Sequence, residues 1–297
     1  MKHRITTILP LAALAALVLN ATAQQRDAWA DRPIQKPDEA NIKKIEEALP
    51  AAATAKPKTA RRILVFWRCE GFFHGGGIAG ANEAIRLMGE KTGAYTADFS
   101  AVYSAFTAEN LAKYDAVVLN NTTGLKPDAA QRQALLDFVR GGKGLVGIHA
   151  ASDNFGDWPE GAKMIGGLFE GHPWGAGGTW AVKIEAPGHP LTKAFGGEGF
   201  KIRDEIYQLK DPYTRADRRV LLGLDISDPA TGGVQGGRTD KDYAIAWIRR
   251  EGKGRVFYNS LGHEVNVFQV PAVLKFNLDG IQYALGDLTA ADSPASK

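Results

Sequence analysis

The chain of 297 residues has a single cysteine, Cys69. No intramolecular disulfide can form, so stability has to come from a packed core. An excess of one charge is also lacking, with 36 lysine and arginine residues against 33 aspartate and glutamate. That near-balance offers no field for nucleic acid or for an anionic lipid surface. No apolar run reaches the roughly 20 residues of a spanning helix. Neither an HxH nor an HExxH spacing occurs, so metal ligands would have to converge from distant segments. Internal repeats are absent as well.

The longest apolar run opens the chain. Lys2, His3 and Arg4 form a basic start, Ile5 to Leu19 an apolar stretch, and "ATA" (21–23) supplies small residues before Gln24. Residues 1–23 read as a cleaved signal peptide, which predicts an exported protein, periplasmic or secreted. No cysteine lies near the cut to carry a lipid, and no membrane insertion is expected after cleavage. Removing 1–23 leaves 34 basic residues against 33 acidic. The mature chain of about 270 residues is long enough for one large core.

Residues 24–60 read as a peripheral helical segment and linker. "PDEANIKKIEEALP" (37–50) sets Ile42, Ile45 and Leu49 along one helix side, and "AAATAKPKTA" (51–60) follows as the linker. The packed domain is expected over 61–288. It opens with "RRILVFW", apolar nearly throughout as in a strand covered on both faces. A helix over 78–93, a second buried strand "YDAVVLNN", a helix over 126–142 and a third strand "GLVGIHA" follow. This alternation predicts an α/β fold, a doubly wound parallel sheet. From about 178, "TWAVKIEA", "FKIRDEIYQLK", "RRVLLGLDI" and a hairpin turning at "EGKG" predict a β-rich C-terminal extension. A last helix over 270–288 and a frayed tail, 289–297, close the chain.

In such sheets ligands bind beyond the carboxyl ends of the parallel strands. The first strand runs into "RCEGFFHGGG", with Phe73 and His74; the second ends at Asn120 and Asn121, and the third at His149. The hairpin ends in "SLGHE", bringing His263 and Glu264 to the same rim if its second strand runs parallel to its neighbour. None of the five mature histidines lies in the interior of a predicted helix or strand. "IGGLFEGHPW" (165–174) places His172 and Trp174 on a glycine-flanked turn, where Trp174 either faces a sugar or covers the core. In "IRDEIYQL", Asp204 and Glu205 are adjacent in a predicted strand, so at most one should face inward. That one is an acid/base or metal-ligand candidate, with a surface ion pair as the alternative. A divalent metal ion is one option for the rim, with His149, Glu205 and His263 as its ligands.

Taken in order, "GFFHGG" (71–76), "GIHAASD" (147–153), "IGGLFEGHPW", "HPLTKAF" (189–195), "DEIYQL" (204–209) and "GKGRVFYNSLGHE" (252–264) resemble the ThuA-like, trehalose-utilisation family. The resemblance implies a flavodoxin-like sheet similar to class I glutamine amidotransferases. In those enzymes a cysteine occupies the turn where this chain has His149, assisted by a distal pair that His263 and Glu264 resemble. An imidazole cannot supply a thiolate's acyl-enzyme chemistry. Cys69, in another segment, reads as a small buried hydrophobe. Amidotransferase activity is therefore not expected.

The family implies carbohydrate metabolism, with keto-sugars or keto-glycosides as substrates. A ketone acidifies the neighbouring C–H, and histidine, with an ordinary pKa of ~6.5, suits its removal. His149, His263, Asp153 and Glu205 are the expected catalytic residues. Phe73, His74, Asn121, His172, Trp174 and Arg255 are expected to bind the small-molecule carbohydrate. A non-catalytic carbohydrate-binding module, or a metal-dependent hydrolase of another ester or amide, is the alternative.

Overall fold

The computed structural model describes residues 27–295, and the expected signal peptide lies outside the described residues. Helix α1 (Glu39–Ala48) precedes β1 (Arg62–Phe66), α2 (Gly75–Thr92) and β2 (Thr96–Ser100). Next come α3 (Ala108–Leu111), β3 (Ala116–Asn120), α4 (Ala129–Arg140), β4 (Gly144–Ile148) and α5 (Pro159–Ile165). The second half holds β5 (Leu168–Trp174), β6 (Thr179–Ile184), β7 (Phe200–Arg203), β8 (Ile206–Lys210) and β9 (Arg219–Leu224). A single turn α6 (Pro229–Gly232), strands β10 (Ala244–Glu251) and β11 (Gly254–Asn259), and helix α7 (Pro271–Ala284) complete it.

Nine strands form one sheet in the order β2-β1-β3-β4-β11-β10-β9-β6-β7. The first five are mutually parallel. With β11 in fifth place, their order is the flavodoxin-like 2-1-3-4-5. The β-rich region does not form a separate unit. It extends the same sheet through antiparallel β10, β9, β6 and β7. The β10–β11 hairpin turns at Gly252 and Lys253, inside "EGKG", with Gly252 at φ 57°.

Both faces of the sheet are covered, which explains the continuous apolar strands. Ile63 and Val65 of β1 pack with Ile85 and Met88 of α2 and Phe276 of α7. Leu64 and Phe66 point the other way, to Leu135 and Val139 of α4. On that second face a two-stranded sheet, β5 with β8, adds Tyr207 and Leu209 to the core.

Several expectations change. Strand β2, "TADFS", is a half-exposed edge too polar to stand out. "LFEGHPW" is strand β5 rather than a turn, its glycine and proline falling at register shifts. "FKIRDEIYQLK" is two strands in different sheets, broken at Asp204 and Glu205. Residues 51–60 are bound along α7: Thr54 and Ala55 N–H donate to Gln282 Oε1 at 2.9 and 3.2 Å. Ile45 of α1 is fully buried. In the expected tail, Asp292 accepts from Arg250 and from the Tyr283 hydroxyl, so its first residues are anchored. Among the described residues no helix is long and apolar enough to cross a membrane.

Candidate metal centre

Three imidazoles stand at the carboxyl ends of parallel strands. His74 follows β1 and is the N-cap residue of α2, His149 follows β4, and His263 follows β11. Their rings form a near-equilateral triangle with centroids 5.0, 5.1 and 5.2 Å apart. Glu205 closes the group from the β7–β8 junction, and one ligand atom from each of the four lies within 4.8 Å of the others.

His149 is the most constrained of the four. Its backbone turns left-handed, at φ 47°, where β4 breaks into a short 3-10 helix. Such a conformation costs on the order of 1–3 kcal/mol in a non-glycine residue and persists where neighbours over-determine it. Here the Tyr258 hydroxyl donates to the His149 carbonyl at 2.7 Å. The ring lies 2.7 Å from the Ser260 carbonyl through Nδ1. A carbonyl only accepts, so Nδ1 carries the proton and Nε2 presents a lone pair. Nε2 is buried without a hydrogen-bond partner and lies 3.7 Å from Glu205 Oε1.

The electrostatics follow from burial. Desolvation holds His74 down to about 4, helped by the nearby His263 and His172 rings. The same burial, with the His74 charge second, pushes His149 well below the ordinary histidine value. Glu205 is displaced upward, first by desolvation. Burial holds His74 and His149 neutral, and the unpartnered Nε2 lone pair of His149 faces Glu205 beside the His263 ring. A cation is what satisfies such a donor set, and three His with one carboxylate suits Zn²⁺ or a similar divalent ion.

A second layer fixes the ligands. Asp204, fully buried, accepts from the backbone N–H of Gly262 at 2.8 Å and of His263 at 3.0 Å. Burial pushes its carboxyl up to about 8, although these bonds pull the other way. Glu264 Oε1 lies 3.4 Å from His263 Nδ1. Carboxylates behind ligand imidazoles orient metal centres in this way. The Tyr207 ring packs tilted against the His149 ring, 4.4 Å between centroids, with its hydroxyl 3.4 Å from His74 Nε2.

Asp204 and Glu205 are both buried, against the alternation expected of a strand. They lie in the link between two sheets, where the period-two rule does not apply. His74, expected to bind substrate, sits among the ligand candidates. His172 is half-exposed at the rim, Nδ1 3.4 Å from Glu205 Oε2. Asn121 is fully buried, its amide reaching the Gly262 carbonyl at 3.3 Å. Phe73 leans toward Trp29, while its neighbour Phe72, the most exposed large apolar side chain among the described residues, stacks over His263 at 6.4 Å. Cys69 is buried, Sγ against the Asn121 carbonyl, and burial raises its thiol.

Three expected residues lie elsewhere. Trp174 is fully buried, donates Nε1–H to the Thr231 carbonyl at 2.9 Å, and packs on Tyr243, so it covers the core and meets no sugar. Arg255 begins β11, at the opposite end of the strand from His263. Asp153 lines a neighbouring cleft outside the four-residue group. Phe72 belongs to the strand-end segment expected at the rim, whereas Tyr207 is not among the expected residues. Tyr207 lies in the apolar run of β8, where nothing in the sequence sets it apart from the buried strand residues around it.

A flavodoxin-like sheet with a histidine-rich rim defines the class. The chain belongs to the ThuA family, described as trehalose utilisation, which it matches over residues 62–284. That places it in carbohydrate metabolism. A ThuA-like protein from Bacteroides uniformis is similar in fold, with a TM-score of 0.65 and 22% identity over 78% of this chain and 94% of that one. A ThuA-like protein from Parabacteroides merdae aligns at TM-score 0.59 and 18% identity, covering 78% and 92%. No curated protein matches the chain.

Proposed function

We propose that the protein is an exported enzyme acting on keto-sugars or keto-glycosides by proton abstraction beside the ketone. His74, His149, Glu205 and His263 would hold one divalent cation, which would supply Lewis-acid stabilisation of the enediolate oxygens. The observation that carries this reading is the convergence of three imidazoles and Glu205 with the unpartnered His149 Nε2 among them.

In this reading His149 and His263 are ligands rather than the acid/base pair. The base is His172, whose half-exposed ring stands at the rim beside Glu205. It takes the proton from the carbon next to the ketone and returns it to the adjacent carbon, or to a leaving oxygen in an elimination. Tyr207, kept protonated by burial, is placed to donate a hydrogen bond near the same point. Phe72 offers an aromatic face for the sugar ring. Turnover of 3-keto-glucosides by the mature protein, with His172→Ala and His149→Ala beside it, tests the proposal. Loss in both variants is expected. Full activity in both would remove these side chains from the reaction.

A further inference from the structure

We infer that the cleft around Asp153 is a second sugar subsite, so that the substrate is a glycoside whose distal unit lies there. The inference rests on the carbohydrate reading above and names its substrate class.

The cleft has a volume of about 450 Å³ and opens on the same rim of the sheet, between the loop after β3, the turn after β4, and the β5–β8 ribbon. That is room for one hexose with its water, in the lower range of small-ligand sites. Its chemistry is that of a sugar site. Asp153 and Lys210 both line it, and among the described residues neither side chain has an ion-pair partner within 4 Å. Lys126 adds a second ammonium at the edge. Phe169 supplies the apolar wall.

The floor is rigid. Asn154 accepts from Leu125 N–H at 2.9 Å and donates to the Thr122 carbonyl at 2.7 Å, and Gly124 N–H donates to the Asp153 carbonyl at 2.8 Å. These bonds fix the Asp153 backbone without consuming its carboxylate, which is left for a ligand hydroxyl. Burial raises the Asp153 carboxyl above its ordinary value, and the Lys210 ammonium opposes that rise.

Continuity with the metal centre runs through one ring. Phe169 stacks on His172 at 5.9 Å and packs on Tyr207 at 4.4 Å, and both of those residues border the histidine triangle. A sugar reacting beside His172 would therefore extend across Phe169 into the cleft. Phe169 thus stands between the two sites, lining the cleft and touching the His172 and Tyr207 rings.

The test is calorimetric titration of the mature protein with unmodified trehalose and with methyl α-glucoside, in wild type, Asp153→Asn and Lys210→Met. Trehalose should bind wild type at least tenfold more tightly than the monosaccharide, and that ratio should fall toward one in both variants. Equal binding of the two sugars by wild type, or an unchanged ratio in the variants, overturns the subsite. Turnover is read separately. Preferential disaccharide binding without reaction on any keto-sugar retains the subsite and removes the catalytic reading. Reaction on keto-monosaccharides without that preference does the reverse.

Discussion

The carboxylate of Asp204 holds the backbone N–H of His263 at 3.0 Å, while the next residue, Glu205, faces the His263 ring at 3.8 Å. One dipeptide thus fixes both the main chain and the side-chain surroundings of a candidate ligand. Replacing Asp204 by Ala would leave two buried N–H groups unpaired, at about 2–4 kcal/mol in total. Thermal denaturation should show a Tm lower by roughly 5–15 °C. Asp204→Asn keeps one acceptor and should cost less. Equal stability of wild type and Asp204→Ala would mean that the two bonds contribute nothing.

The four-residue centre makes a stoichiometric prediction. Protein purified without chelators or a metal-affinity tag should contain close to one divalent ion per chain by elemental analysis. His149→Ala and Glu205→Gln should weaken that binding at least a hundredfold, about 2.7 kcal/mol. His172→Ala should keep its metal and lose turnover, since it lies at the rim beside Glu205. With ion at a hundred times its Kd, chelation should remove about 2.7 kcal/mol of stability. Metal-free protein with an unchanged Tm on adding Zn²⁺ or Mn²⁺ would contradict the site.

Much of this centre was legible because strand ends are. Apolar runs located β1, β3, β4 and β11, and the rule that ligands sit beyond the carboxyl ends pointed to His74, His149 and His263. Arg255 could have been set aside by the same rule, since it begins its strand. What the pattern could not reveal was where the chain changes sheet. The step from β7 to β8 turns Asp204 and Glu205 both inward, and only tertiary pairing shows that step. Trp174 was ambiguous for a related reason. Its partners, Thr231 and Tyr243, lie far along the chain.

Close backbone contact at Gly77 gives a third prediction. A Cβ there would stand 2.3 Å from the Gly262 carbonyl oxygen and 2.7 Å from that of His263. Neither is a flexible side-chain end, so Gly77→Ala has to push α2 away from the loop carrying His263. Overpacking of this kind costs about 1–3 kcal/mol. A lower Tm together with weaker metal binding is expected. Wild-type values for both would show that the helix can shift without moving the ligand.

Acidity should act on the same group of rings. Burial and the neighbouring imidazoles hold His74 at about 4, below its ordinary value of 6.5. In metal-free protein, the unfolded chain therefore binds more protons than the folded one between those two values. Stability then rises with pH across that window. The His74 contribution is fully present above pH 6.5 and is lost as pH falls toward 4, a change of about 3 kcal/mol. His149, displaced the same way, adds to the slope. Denaturant unfolding in the presence of chelator, at pH 7, 6 and 5, should give a falling midpoint, and His74→Gln should flatten it. Protons also compete with a metal for the same lone pairs, so affinity for the ion should fall over the same range. A midpoint independent of pH in the chelated protein would mean that these imidazoles are not buried as neutral rings, and the argument for a cation among them would lose its footing.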